Sequence, residues 1–81
     1  MIGEEKMTKK EKMKAEFDWQ LQNTDHLSKM VVAIMLPSGA KEIIINTEHI
    51  IEKMDYYMNA YDDELQLKAN FKVRILNYMF V

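Results

Sequence analysis

The sequence predicts an α+β fold: a ββαβ unit, with a three-stranded sheet and one packed helix, preceded by an N-terminal amphipathic helix. Three observations predict it. Met30-Val31-Val32-Ala33-Ile34-Met35-Leu36 is an unbroken apolar run, as expected of a strand covered on both faces. Pro37-Ser38-Gly39 and the β-branched Ile43-Ile44-Ile45 follow it at hairpin spacing. Ile50, Met54, Tyr57, Met58 and Tyr61 then recur at i, i+4, i+7, i+8 and i+11, the stripe of an amphipathic helix.

Residues 1–29 read as a helical extension and residues 30–81 as the ββαβ domain. In the extension, Met13, Phe17 and Leu21 fall on one helical stripe. Thr8 and Glu11 have capping-box spacing, so the spacing predicts a helix over 8–22 that ends at Asn23-Thr24-Asp25. Trp19 lies off the stripe. Strand two is expected over Ala40–Asn46. Asn46-Thr47 then supplies an N-cap and Glu48 a negative charge in the first turn of the main helix, which would place His49 in that turn. Asp62-Asp63 ends the helix, because short acidic side chains prefer turns. Leu65 to Ala69 alternates, as a short extended segment or the approach to a strand.

The last strand is expected over Phe71–Val81. Phe71, Val73, Ile75, Met79 and Val81 would point one way, and Lys72, Arg74, Leu76, Tyr78 and Phe80 the other. A right-handed crossover through the helix sets this strand beside strand one and parallel to strand two. Strand one is then central. One helix covers one face of that sheet, and the N-terminal segment or a second copy must cover the other. The expectation is a homodimer, or a higher even oligomer, with Val32, Ile34, Leu76, Tyr78 and Phe80 in the interface.

Composition bounds the chemistry. The chain has 81 residues, 48% hydrophobic and 30% charged, with a net charge of -2 and no cysteine. Disulfides and thiolate metal sites are thereby excluded. No apolar run is long enough to span a bilayer and no signal-peptide pattern opens the chain, so no membrane partner and a cytoplasmic location are expected. His26 and His49 are the only imidazoles and belong to different elements. Ser28 and Ser38 lack a nucleophile-elbow context. Gly3 and Gly39 cannot build a phosphate loop, and Asp62-Asp63-Glu64 lacks the alternating ligands of a calcium loop. No catalytic residue, metal or cofactor is expected, and the chain reads as a non-catalytic protein-binding module rather than an enzyme.

The charges are unevenly spread. Residues 6–14 hold Lys6, Lys9, Lys10, Lys12 and Lys14 against Glu11 alone, whereas residues 41–64 set Lys41 and Lys53 against seven carboxylates. Such segments either coat solvent faces or read partners. The acidic, tyrosine-bearing end of the main helix, Asp55, Tyr56, Asp62, Asp63 and Glu64, is the expected partner-binding surface, since tyrosine suits interface hot spots. The alternative is a nucleic-acid-binding or regulatory protein, with Lys9, Lys10, Lys12 and Lys14 on phosphates and Phe17 and Trp19 stacking on bases.

Leu36-Pro37-Ser38-Gly39-Ala40, Asn46-Thr47-Glu48, Glu52-Lys53-Met54-Asp55-Tyr56-Tyr57 with Ala60-Tyr61-Asp62-Asp63, and Leu67-Lys68-Ala69-Asn70 together resemble small, mostly uncharacterised phage and prophage proteins of Gram-positive bacteria. The resemblance covers about residues 30–81, and its motifs are structural: a turn, a cap and a helix stripe. It implies a phage-encoded inhibitor, of host-takeover or anti-defence type, that blocks a bacterial host or defence protein by binding it in the host cytoplasm.

Overall fold

A computed structural model describes residues 6–81; residues 1–5, the start of the expected extension, lie outside the described residues. Thr8 opens helix α1 (Lys9–Asn23) with a reciprocal capping box, its hydroxyl accepting from the Glu11 amide and its own amide donating to the Glu11 carboxylate. Strands β1 (Met30–Met35) and β2 (Lys41–Asn46) form the expected hairpin. Its loop is closed by Leu36 N–H to Ala40 C=O and Gly39 N–H to Leu36 C=O, both 2.8 Å, with Gly39 at φ 92°. Only glycine takes that conformation without strain.

Helix α2 (Ile50–Ala60) follows, then β3 (Gln66–Leu67) and the long β4 (Asn70–Phe80). The four strands are antiparallel in the order β2-β1-β4-β3. β1 is central and β4 lies beside it in the direction of β2, as the crossover argument requires. Two details differ from expectation. The alternating Gln66-Leu67 is a fourth strand, paired on β4. The α2 cap is not Asn46-Thr47: His49 occupies the N-cap position at φ 54° with no side-chain cap bond, and Asn46 ends β2 buried. There its amide donates to the Met30 carbonyl at 3.2 Å and the Tyr57 hydroxyl at 3.3 Å. A buried amide must be bonded, and the core claims this one before the helix can.

Both helices lie on one face of the sheet. Met13 and Phe17 of α1, Met54 and Tyr57 of α2, and Met30, Val32, Ile34, Ile75 and Phe80 of the strands form one core. Phe17 meets Phe80 edge-on at 5.3 Å between ring centres, a favoured aromatic geometry. Residues 6–29 and 30–81 therefore share their burial. Truncating the Phe17 ring would open a cavity where the three layers of side chain meet. Phe17→Ala should lower unfolding free energy by about 3–5 kcal/mol, read by urea denaturation monitored by circular dichroism.

Candidate functional site: the uncovered sheet face

Register assigns the faces. Met30, Val32 and Ile34 stand opposite Asn46, Ile44 and Glu42 on β2 and opposite Phe80, Tyr78 and Ile75 on β4, on the helix-covered side. Val31, Ala33 and Met35 stand opposite Ile45, Ile43 and Lys41, and opposite Met79, Asn77 and Arg74, on the other. Between Ala33 and Ile34 the register with β4 slips by one residue, which leaves Leu76 as an inserted bulge. A bulge reverses the alternation. Val73 and Ile75 before it, and Tyr78 and Phe80 after it, all face the helices.

That slip corrects the expected oligomer surface. Val32, Ile34 and Phe80 are buried in the core beneath the helices, and Tyr78 packs half-buried against it, its ring 5.5 Å from that of Phe80. Leu76 is partly exposed at the bulge. The face left uncovered carries the other set. Ile43, Ile45 and Met79 are 59%, 60% and 52% exposed, and a shallow depression of about 290 Å³ runs between Val31, Ala33, Ile43, Asn77 and Met79, with Tyr78 also at its lining. At the hairpin end the apolar surface gives way to cations. Lys41 and Arg74 flank Met35 in register, and Lys72 and Arg74 border a second hollow with Met35, Leu36 and Pro37. No carboxylate occupies an open-face position on any strand, and Lys41, Lys72 and Arg74 have no ion pair among the described residues.

The acidic and basic segments singled out in the sequence meet each other instead. The Lys10 amine donates to the Met58 and Tyr61 carbonyls at 3.1 and 2.9 Å, where a cation offsets the negative end of α2. Lys9 reaches Glu64 at 3.7 Å, and Lys14 pairs with Asp18 at 2.8 Å. The Lys10 amide donates to the Asp63 carbonyl. Asp62 is a turn-former: its carboxylate accepts from the Glu64 and Gln66 amides, both at 2.9 Å. Of the expected partner surface, Asp55, Tyr56 and the Asp63 side chain remain exposed without a polar partner among the described residues, Tyr56 resting edge-on against Tyr57 at 5.3 Å. Of the four lysines considered for phosphate contact, Lys12 alone has neither an ion pair nor a side-chain hydrogen bond among the described residues. Trp19 is exposed on the outer side of α1.

His26 and His49 are exposed on separate elements, and among the described residues no group of three or more His, Asp or Glu is placed to hold a metal. No buried side-chain nitrogen or oxygen there lacks a partner. No helix of the described residues is long and apolar enough to cross a membrane. Compared with known protein families, curated proteins and solved structures, the chain has no significant match.

Asp62 holds two backbone amides in a turn where Leu65, at φ 63°, is itself buried. Asp62→Ala should therefore cost about 1–2 kcal/mol in denaturant titration, and exposed Asp63→Ala close to nothing. Burial raises the Tyr57 phenol above the ordinary value of 10.0, despite the Asn46 amide that lowers it; burial raises Tyr61 and Tyr78 likewise. Folding thus favours the neutral phenols. Their contribution to stability is complete below pH 10 and is lost as pH rises beyond it, because the unfolded chain ionises first. Stability measured from pH 8 to 11 should fall above 10, and less steeply in Tyr57→Phe.

Proposed function

We propose that this chain is a non-catalytic binding module whose working surface is the uncovered face of its sheet, and that its partner is a protein. The observation that carries this reading is the composition of that face. An apolar centre of Val31, Ala33, Ile43, Ile45 and Met79 passes into Lys41, Lys72 and Arg74 with no carboxylate between. The chemistry suits a protein surface with an apolar patch bordered by acidic side chains. Contiguous apolar surface of this kind on a small domain marks an interaction site, and unpaired cations at its rim steer an acidic partner and reject a basic one.

The phage-like motifs of residues 30–81 supply the context: an inhibitor that occupies a bacterial host or defence protein. The thin catalytic inventory, with two separated histidines and no cysteine, supports binding over turnover. The basic N-terminal helix offers less to a nucleic acid than its sequence suggests, since Lys9, Lys10 and Lys14 have partners within the chain. At the acidic end of α2 Asp62 is held by two turn amides and Glu64 reaches Lys9, whereas Asp63 stays exposed; the larger apolar surface of the sheet face favours it as the contact.

The test is capture from a nuclease-treated bacterial lysate by the wild type and by surface variants. Met79→Glu, and Lys41→Glu with Arg74→Glu, should each reduce recovery of the captured protein at least about tenfold, the loss of a hot-spot residue. Asp63→Lys should leave it unchanged. Capture lost on nuclease treatment, or sensitive to Asp63→Lys and not to the sheet-face variants, would refute this surface.

A further inference from the structure

The open edge of the sheet carries information that its face does not. Two hydrogen-bond pairs fix the phase of the ladders. Leu36 N–H to Ala40 C=O sets the β1–β2 hairpin, and the reciprocal Lys29 and Val81 bonds at 2.9 and 3.1 Å set β1 against β4. Antiparallel strands alternate bonded and non-bonded pairs. Counting from either anchor, Met30, Val32 and Ile34 bond to β2, and Val31, Ala33 and Met35 bond to β4. On β2 the bonded residues are then Glu42, Ile44 and Asn46. Lys41, Ile43 and Ile45 turn their N–H and C=O groups outward, away from the sheet.

The chain treats its two edges differently. The far side of β4 is covered by the short β3 for part of its length. Beyond that come the bulge at Leu76 and the Tyr78 amide, which donates to the Asn77 side-chain oxygen at 2.9 Å. Short edge strands, bulges and side chains that cap edge amides are how proteins prevent strand addition. β2 has no proline and no bulge, and its only charges, Lys41 and Glu42, lie at its start. Its centre is Ile43-Ile44-Ile45, uncharged.

We propose that two copies of this chain pair antiparallel through β2, Ile43 of each opposite Ile45 of the other, making one continuous sheet with all helices on one side. The register follows from the faces. Residues opposed across a twofold axis normal to the sheet must share a face, so the pairing joins odd positions to odd and even to even. Centring it on Ile44 pairs Ile43 with Ile45 twice through the outward backbone groups, and sets Glu42 opposite Asn46. No like charges are opposed. Beside β2, on the helix side, a groove of about 440 Å³ is lined by Ile44, Asn46, Glu52, Lys53, Tyr56 and Tyr57. It holds one acid and one base, so the groove carries no net charge of one sign, and Tyr56 beside it is exposed. A small domain with no disulfide gains buried surface most readily by this route. This inference goes beyond the binding reading, because it concerns the edge of the sheet and not the ligand of its face.

Hydrogen exchange on the intact protein over a dilution series tests it, together with mass by sedimentation. The expected result is a dimer in which the Ile43 and Ile45 amides exchange at least about tenfold more slowly than in the dilute monomer. Ile43→Pro removes an outward N–H without touching the β1 ladder, and should give a folded monomer, whereas Met79→Lys, on the open face, should remain a dimer. A monomer at every concentration with both amides unprotected would overturn the proposal. A dimer abolished by Met79→Lys but not by Ile43→Pro would replace it with face-to-face stacking. Should Ile43→Pro fail to fold, the wild-type protection at Ile43 and Ile45 decides alone.

Discussion

Met13 and Phe17 of α1 reach the same side of the sheet that α2 covers with Met54 and Tyr57, and the remaining architecture depends on that shared burial. Neither helix has a second apolar stripe to offer. α1 buries two residues and α2 two more, plus Tyr61 just beyond its end. The Lys10 ammonium, seated on the last carbonyls of α2, fixes where the first helix starts along the second. Once that latch and the Phe17–Phe80 contact are made, α1 cannot also lie across Val31, Ala33, Ile43 and Met79. An uncovered sheet face is the cost of building one dry layer well from a chain this short.

Strand β4 is long enough to serve two packing environments, and the bulge at Leu76 lets it do so. Before the bulge Val73 and Ile75 point inward; after it Tyr78 and Phe80 do. Without the inserted residue, strict alternation would turn Met79 into the core and Phe80 onto the open face. Phe17 would then lose its aromatic partner. The bulge also twists the strand locally and leaves the Tyr78 amide outside the ladder, where Asn77 satisfies it.

Much of the fold was legible in the sequence because the relevant signals are local. The Thr8–Glu11 capping box, the Pro37-Ser38-Gly39 loop and the Ile50–Tyr61 stripe each specify structure within a few residues. Apolarity on both faces of β1 marked it as an interior strand, beside β4, although the second face it was expected to have covered is open. What was not legible depends on register. A bulge has no sequence signature of its own, so the even positions of β4 were assigned to the open face and Val32 and Ile34 with them. The open-face set, Val31, Ala33, Ile43, Ile45 and Met79, was not singled out: the isoleucines read only as the β-branched centre of strand two, and Met79 was grouped with Val73 and Ile75. The Asn46-Thr47 cap was misplaced for a related reason: an Asn that reads as a cap in isolation was drawn inward by Met30 and Tyr57.

Net charge was the least informative property of this chain, and the structure explains why. The total of -2 describes a molecule whose acidic segment and basic N-terminal helix lie against one another, Lys9 on Glu64 and Lys10 on the α2 terminus. Charges neutralised at such contacts contribute little to the field a partner meets. The cations on the open face are different. Lys41, Lys72 and Arg74 stand beside apolar side chains of the open face and are in no ion pair among the described residues, although Arg74 also lines a hollow with Glu64 and Lys9. An acidic protein can therefore present a locally basic surface. It does so here because the carboxylates lie on turns and helices, with Glu42 on the helix side of β2, and none stands on the open face of a strand.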